Sequence, residues 1–265
     1  MPLSANLFSS ILAMYSYNRG PGPELGKANW PGRPVMRRRD AITGAAAMAG
    51  ALLTGCERGG YTLHYRLTVE VAVGDKIVVG KAVRALRWHE RDPAWAGMDA
   101  SGFYTRGEAV VVDLGPRGLL VVTLQGWWRN PPSDPPSVNP NTWTPVAALE
   151  PVLGPDRARW GSRAGVPADV PPEDMPVMVT FADPRVPGSV RAVDPANLAA
   201  SFGPGVSLRS VKVEITHDGV THGPILRALP WLKTWGVRSL DGQGGISSTR
   251  LENNLAPASF LLERG

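Results

Sequence analysis

Tyr61-Thr62-Leu63-His64-Tyr65-Arg66-Leu67-Thr68-Val69-Glu70-Val71-Ala72-Val73 decides the fold. Every odd position is apolar or aromatic, while Thr62, His64, Arg66, Thr68 and Glu70 hold even ones. Side chains of a strand alternate faces, so this period of two predicts a strand with one face in a core and the other toward water. Gly74-Asp75 supplies turn chemistry, and Lys76 to Trp88 reads as the returning arm, with Gly80 a bulge where the alternation falters.

Working outward from this hairpin, Glu108 to Leu114 and Leu119 to Gln125 form a second one around Gly115-Pro116-Arg117-Gly118. Near-continuous Val and Leu in both arms predicts burial on two faces. Val177 to Phe181 and Val206 to Thr216 are further strands, the latter with Val211, Val213 and Ile215 inward and Lys212, Glu214 and Thr216 outward. Asp218-Gly219 reads as the next turn, and Ile225 to Leu232 and Phe260 to Leu262 as final strands or covering segments. Asp194-Pro195 opens a short helix, with an acid at the N-cap, Pro at the first helical position, Leu198 and Phe202 on one side and Gly203 as the stop. Pro-rich loops fill 130–155 and 166–176. Strands do not alternate with long helices, which argues against a doubly wound parallel sheet. The expected class is mainly β, with antiparallel sheets in a sandwich-like or open-barrel arrangement and one or two short helices; α+β is the alternative. Residues 61–265 are read as a single body.

Ahead of that body, residues 1–35 are rich in Gly and Pro, and the character changes at Met36. Arg37, Arg38 and Arg39 form a basic run, the 13 residues Ala41 to Leu53 are small and apolar, and Leu53-Thr54-Gly55-Cys56 follows. An apolar run of that length lies within the roughly 7–15 residues of a signal peptide and falls short of a spanning helix. Residues 36–55 are therefore read as a signal peptide, and 1–35 as lying upstream of a start at Met36, untranslated or disordered, the alternative being a genuine long n-region. Leu53, Thr54, Gly55 and Cys56 together are similar to the lipobox of bacterial lipoproteins. That resemblance implies cleavage between Gly55 and Cys56, diacylglycerol on the Cys56 sulfur, and a fatty acyl group such as palmitate on its freed amine. Arg38-Arg39 also resembles the twin-arginine export signal, although Asp40-Ala41-Ile42 replaces its bulky apolar positions; the general secretory route fits equally.

Lipidation accounts for the single cysteine of the chain, which otherwise stands as an unpaired thiol in an exported protein. It also changes the charge balance. The whole chain carries a formal +5, but the segment from Cys56 onward holds 22 basic against 21 acidic residues. Nucleic-acid binding thereby loses its electrostatic footing. Only Glu57-Arg58-Gly59-Gly60 separates Cys56 from the first strand, a tether of about 15 Å at most. The implied address is the bacterial cell envelope, anchored by lipid and facing the periplasm, on either the inner or the outer membrane. The stretches 181–184, 189–195, 201–206, 213–216 and 229–232 resemble uncharacterised proteobacterial proteins, a likeness that carries no activity with it.

No catalytic motif or cofactor signature emerges, and no metal site is assigned. His217-Asp218-Gly219-Val220-Thr221-His222 brings two imidazoles to one turn, with His64 a third candidate, but the spacing matches no zinc motif. That turn is the least implausible centre for the alternative reading, a metal-dependent or hydrolytic envelope enzyme. Two features point instead to binding. Lys76, Lys81, Arg84, Arg87 and Arg91 place cations along the first hairpin, read either as a contact for anionic lipid or as a solvated strand face. Trp127, Trp128, Trp143 and Trp160 flank the Pro-rich passage, where indole rings stack on a glycan or a protein partner, or else anchor the loop to the core. The favoured function is a membrane-anchored binding or scaffolding module, with Trp127, Trp128, Arg84 and Arg87 as candidate contacts.

Overall fold

The computed structural model describes residues 60–90, 101–128, 137–140, 144–243 and 250–263. All fall within one compact unit, Glu57–Gly265. β1 (Gly60–Val73) and β2 (Lys76–Glu90) form the opening hairpin around Gly74-Asp75, in unbroken register from Val73 opposite Lys76 to Gly60 opposite His89. β1 also pairs from Tyr65 to Val73 with β10 (Val206–Ile215), so most of the longest alternating stretch lies between two partners. β3 (Ser101–Glu108) extends the sheet beyond β2, and short strands β7 (Pro167–Asp169) and β11 (Leu261–Leu262) close its edges, giving the order β11-β3-β2-β1-β10-β7.

The second sheet is built on the Val-rich hairpin. β4 (Val110–Asp113) and β5 (Leu119–Trp128) pair around the turn at Gly115–Arg117, and β8 (Pro176–Phe181) and β9 (Val190–Ala192) follow on the other side of β5. β6 (Ser137–Pro140) pairs with the last residues of β5. Adjacent strands are antiparallel in both sheets, so the protein is mainly β, as its patterning predicts.

The sheets meet face to face. Leu63, Tyr65, Leu67, Val69 and Val71 of β1 and Val211, Val213 and Ile215 of β10 share one core with Val110, Val112, Leu120, Val122 and Met178. The alternate residues of the second sheet, Val121, Val177, Val179, Phe181 and Val190, face away from that core. Each would forfeit about 1.5–3 kcal/mol if left in water. They are covered by a third layer drawn from the C-terminal quarter, in which Ile225, Leu229, Trp231, Leu232, Leu240, Leu255 and Phe260 are buried. The rings of Phe181, Trp231 and Phe260 meet at centroid distances of 5.9–6.0 Å, and the Trp231 indole N–H donates to the Pro184 carbonyl at 3.0 Å. This double burial explains the uninterrupted Val and Leu in β4 and β5.

Several expectations change in detail. Glu108 ends β3 in the first sheet and does not open β4; the chain crosses between sheets at Ala109, whose N–H donates to the Phe260 carbonyl at 2.7 Å. Gly80 is no bulge, since Val69 faces it in regular register. A Cβ there would lie 2.5 Å from the Val111 carbonyl oxygen, so glycine is required by the close approach of the sheets. The register shift falls instead between Glu70 and Val71, against β10. The passage 130–155 contains a helix, α1 (Thr144–Leu153), whose Val146, Ala148 and Leu149 enter the core; Pro145 fits because the first helical turn needs no donor there. The helix expected from Asp194 shrinks to one turn, α2 (Ala199–Phe202), because the Asp194 carboxylate accepts the Ala196 N–H in a tight turn before it. Ile225 to Leu232 is a covering segment, comprising α3 (Pro224–Ala228) and a 3₁₀ turn at Pro230–Lys233.

Candidate functional site

The chemistry of the interior centres on Arg84. Because β1 turns its odd residues inward and its partners on β2 are even, Arg84 lies opposite Tyr65 and points between the sheets, only 2 % exposed. Its Nε donates to the Glu108 carbonyl at 3.0 Å and its Nη2 to the Val122 carbonyl at 3.0 Å, and it donates also to the Tyr65 hydroxyl, which bonds Thr105 in turn. Burying a charge costs several kcal/mol unless every donor is met; here main-chain oxygens from both sheets meet it. Burial pulls the guanidinium pKa down and pushes the Tyr65 hydroxyl up. Gly107 accommodates the arrangement at φ +135°, where a Cβ would stand 3.1 Å from Arg84 Cγ. Arg84 is therefore an inter-sheet tie, not a member of a surface cation strip.

Glu108 has no exposed surface. Its Oε2 accepts the Gly223 N–H at 2.9 Å, the Ile225 N–H also bonds the carboxyl, and Oε1 has no partner among the described residues. Burial raises its pKa, against the opposing pull of those two N–H groups and of His222 and Arg227. The carboxyl anchors the chain after β10, which does not turn back as a hairpin at Asp218-Gly219. It passes outside β1 and reaches the β2 edge, where the Thr221 N–H donates to the Val83 carbonyl at 3.0 Å and the Val83 N–H to Thr221 Oγ1 at 2.8 Å.

This strap engages the histidine candidates. His64 Nδ1 donates to the Asp218 carbonyl at 2.8 Å, while Arg66 pairs with the carboxylates of Asp218 and Glu214. His217 and His222 are exposed. Asp218 is thus held by a cation and His64 by a main-chain oxygen, and among the described residues no three His, Cys, Asp or Glu groups gather to hold a metal.

The remaining candidates disperse. Arg87 is exposed opposite Thr62, near the start of β1, whereas Lys81 faces Thr68 and Lys76 faces Val73 at the other end. Arg91, Trp143 and the lipobox residues Leu53, Thr54, Gly55 and Cys56 lie outside the described residues, as do the side chains of Trp127 and Trp128 at the end of β5. Trp160 is core, 1 % exposed, and its indole N–H donates to the Gly154 carbonyl at 2.9 Å.

One open groove brings together residues that sequence reading left unassigned. Arg117 in the β4–β5 turn, Thr180 on β8, Arg191 on β9 and Ser201 on α2 line a space of about 410 Å³. Arg117 Nη1 donates to the Phe202 carbonyl at 3.1 Å and the Pro204 carbonyl at 2.7 Å, which fixes the guanidinium. Arg191 is exposed and lies opposite Thr180 in the β8–β9 register. Among the described residues no Asp or Glu lines the groove. The Gly74 N–H donates to the Gly205 carbonyl at 2.9 Å, so this region adjoins the far end of β1, about 43 Å along the strand from Gly60. Arg117 and Arg191 are too far apart in the chain for any spacing rule to join them.

The molecule is a two-sheet antiparallel β-sandwich with a helical covering layer and a cationic groove on its second sheet. No family model matches the chain, and no curated protein or solved structure does.

Proposed function

We propose that the chain is a bacterial envelope lipoprotein, lipidated at Cys56, whose β-sandwich binds or scaffolds another envelope component close to the membrane. The observation that carries this reading is the adjacency of two features. The Leu53-Thr54-Gly55-Cys56 motif ends a basic and then apolar segment, and β1 starts at Gly60, with only Glu57-Arg58-Gly59 between. A linker that short holds the start of the sandwich within about 15 Å of an anchored sulfur. Two or three acyl chains on one residue, at about 0.8 kcal/mol per buried methylene, make the attachment effectively permanent. The near-neutral balance from Cys56 onward suits a role resting on a local site more than on long-range charge.

The test is metabolic labelling with radioactive palmitate, alongside Cys56→Ser. The native chain is expected to take up label and sediment with membranes, and the variant to do neither in processed form. An unlabelled native chain, or a variant that matures and fractionates like it, overturns the reading. Cross-linking in intact cells followed by capture of the chain identifies the bound component.

A further inference from the structure

We infer that the groove between Arg117 and Arg191 is a binding site for a phosphate group carried on a sugar. This rests on the reading of the domain as a binding module and names the chemistry it recognises. Arg117 is pre-oriented, since two main-chain carbonyls hold its Nη1 while Nη2 and Nε have no partner among the described residues. The side chain of Arg191 has no hydrogen bond or ion pair among the described residues, and neither do the side-chain hydroxyls of Thr180 and Ser201. Two arginines and two hydroxyl-bearing residues therefore line one space, with no carboxylate among its described lining residues to neutralise it. Guanidinium forks match the paired oxygens of phosphate and bond them more strongly than neutral donors do.

The dimensions bear on the carrier. At about 410 Å³ the groove exceeds a bare phosphate and suits a small polar molecule attached to one. Its lining includes only Phe181 and Pro116 as sizeable apolar residues, which disfavours an acyl chain. It also lies toward the end of β1 remote from Gly60, about 43 Å along the strand. A sugar phosphate satisfies these conditions better than the acylated headgroup of a lipid.

The experiment is a ³¹P NMR titration of the full chain, purified in detergent at low salt, with glucose 1-phosphate, sn-glycerol 3-phosphate and inorganic phosphate as probes. Saturable broadening by glucose 1-phosphate is expected, weakened about tenfold or more by Arg191→Ala and partly restored by Arg191→Lys. Arg191 is chosen because its exposed side chain can be removed without disturbing the Arg117 contacts that join the turn to the 202–204 segment. Absence of saturable binding, or binding indifferent to Arg191→Ala, overturns the site. Tighter binding of glycerol phosphate or inorganic phosphate than of glucose 1-phosphate overturns the sugar carrier. Labelling at Cys56 and membrane fractionation do not depend on this titration, so failure of the groove and failure of the anchored-module reading are separately visible.

Discussion

Arg84 and Tyr65 face each other across β1 and β2, and the guanidinium continues past the phenol to carbonyls of β3 and β5. A cation thus sits where the patterning of this sandwich calls for an aliphatic residue. Arg84→Ala is expected to lower stability by about 3–5 kcal/mol, because it leaves buried oxygens from both sheets unpaired and a void between them. Arg84→Lys keeps the charge without the fork and should fall between. Chemical denaturation of the full chain measures both; a loss under about 1 kcal/mol for Arg84→Ala would show that the tie is dispensable.

Glu108 makes stability depend on pH in the direction opposite to an ordinary paired carboxylate. Its folded pKa is raised by burial above the usual 4.5. The folded state therefore holds the proton more tightly than the unfolded one. Its contribution is complete below the unfolded pKa and is lost as pH rises toward the folded value. Glu108→Gln, which keeps an acceptor for the Gly223 N–H, should be the more stable form at pH 7, with the advantage vanishing below about pH 4.5. Denaturation midpoints from pH 4 to 8 give the comparison, and a variant that is weaker at neutral pH would mean the carboxylate is ionised and well paired.

Gly80 meets β4 directly. A methyl group there would stand 2.5 Å from the Val111 oxygen, 2.7 Å from Val112 Cγ2 and 2.9 Å from Val110 Cγ1. Gly80→Ala must push the sheets apart and is expected to cost about 1–3 kcal/mol, seen as a lower thermal midpoint. An unchanged midpoint would mean that the strands separate locally without penalty.

The covering layer is pinned by Trp231. Trp231→Ala removes its packing on Phe181 and Phe260 and the bond to the Pro184 carbonyl, at an expected cost of about 3–5 kcal/mol. Binding of a hydrophobic dye should rise as the outer face of β5 and β8 opens. Unaltered dye binding would place the strength of the layer elsewhere.

The strands were legible where periodicity is local. Odd residues from Tyr61 to Val73 define β1, and the doubly buried Val runs define β4 and β5 without any knowledge of partners. Inside the hairpin even Arg84 could have been placed, since a two-residue turn at Gly74-Asp75 pairs Tyr65 with it by counting. Charge misled there, because an arginine on a strand is ordinarily solvated. Gly80 and Glu108 escaped for another reason: their roles are set by contacts with Val111 and Gly223, in segments whose approach no local pattern records. The groove was illegible on the same ground, as Arg117, Thr180, Arg191 and Ser201 acquire meaning only when β4, β5, β8, β9 and α2 assemble.

β11 closes one edge of the first sheet beside the crossover between sheets. Leu261 pairs with Glu108, and the Phe260 carbonyl takes the Ala109 N–H at the crossover between sheets. The cover for Val121, Val177, Val179 and Phe181 begins only at Ile225, so a chain cut before that residue leaves their face bare. Truncation ahead of Ile225 is accordingly expected to yield a sticky, aggregation-prone product.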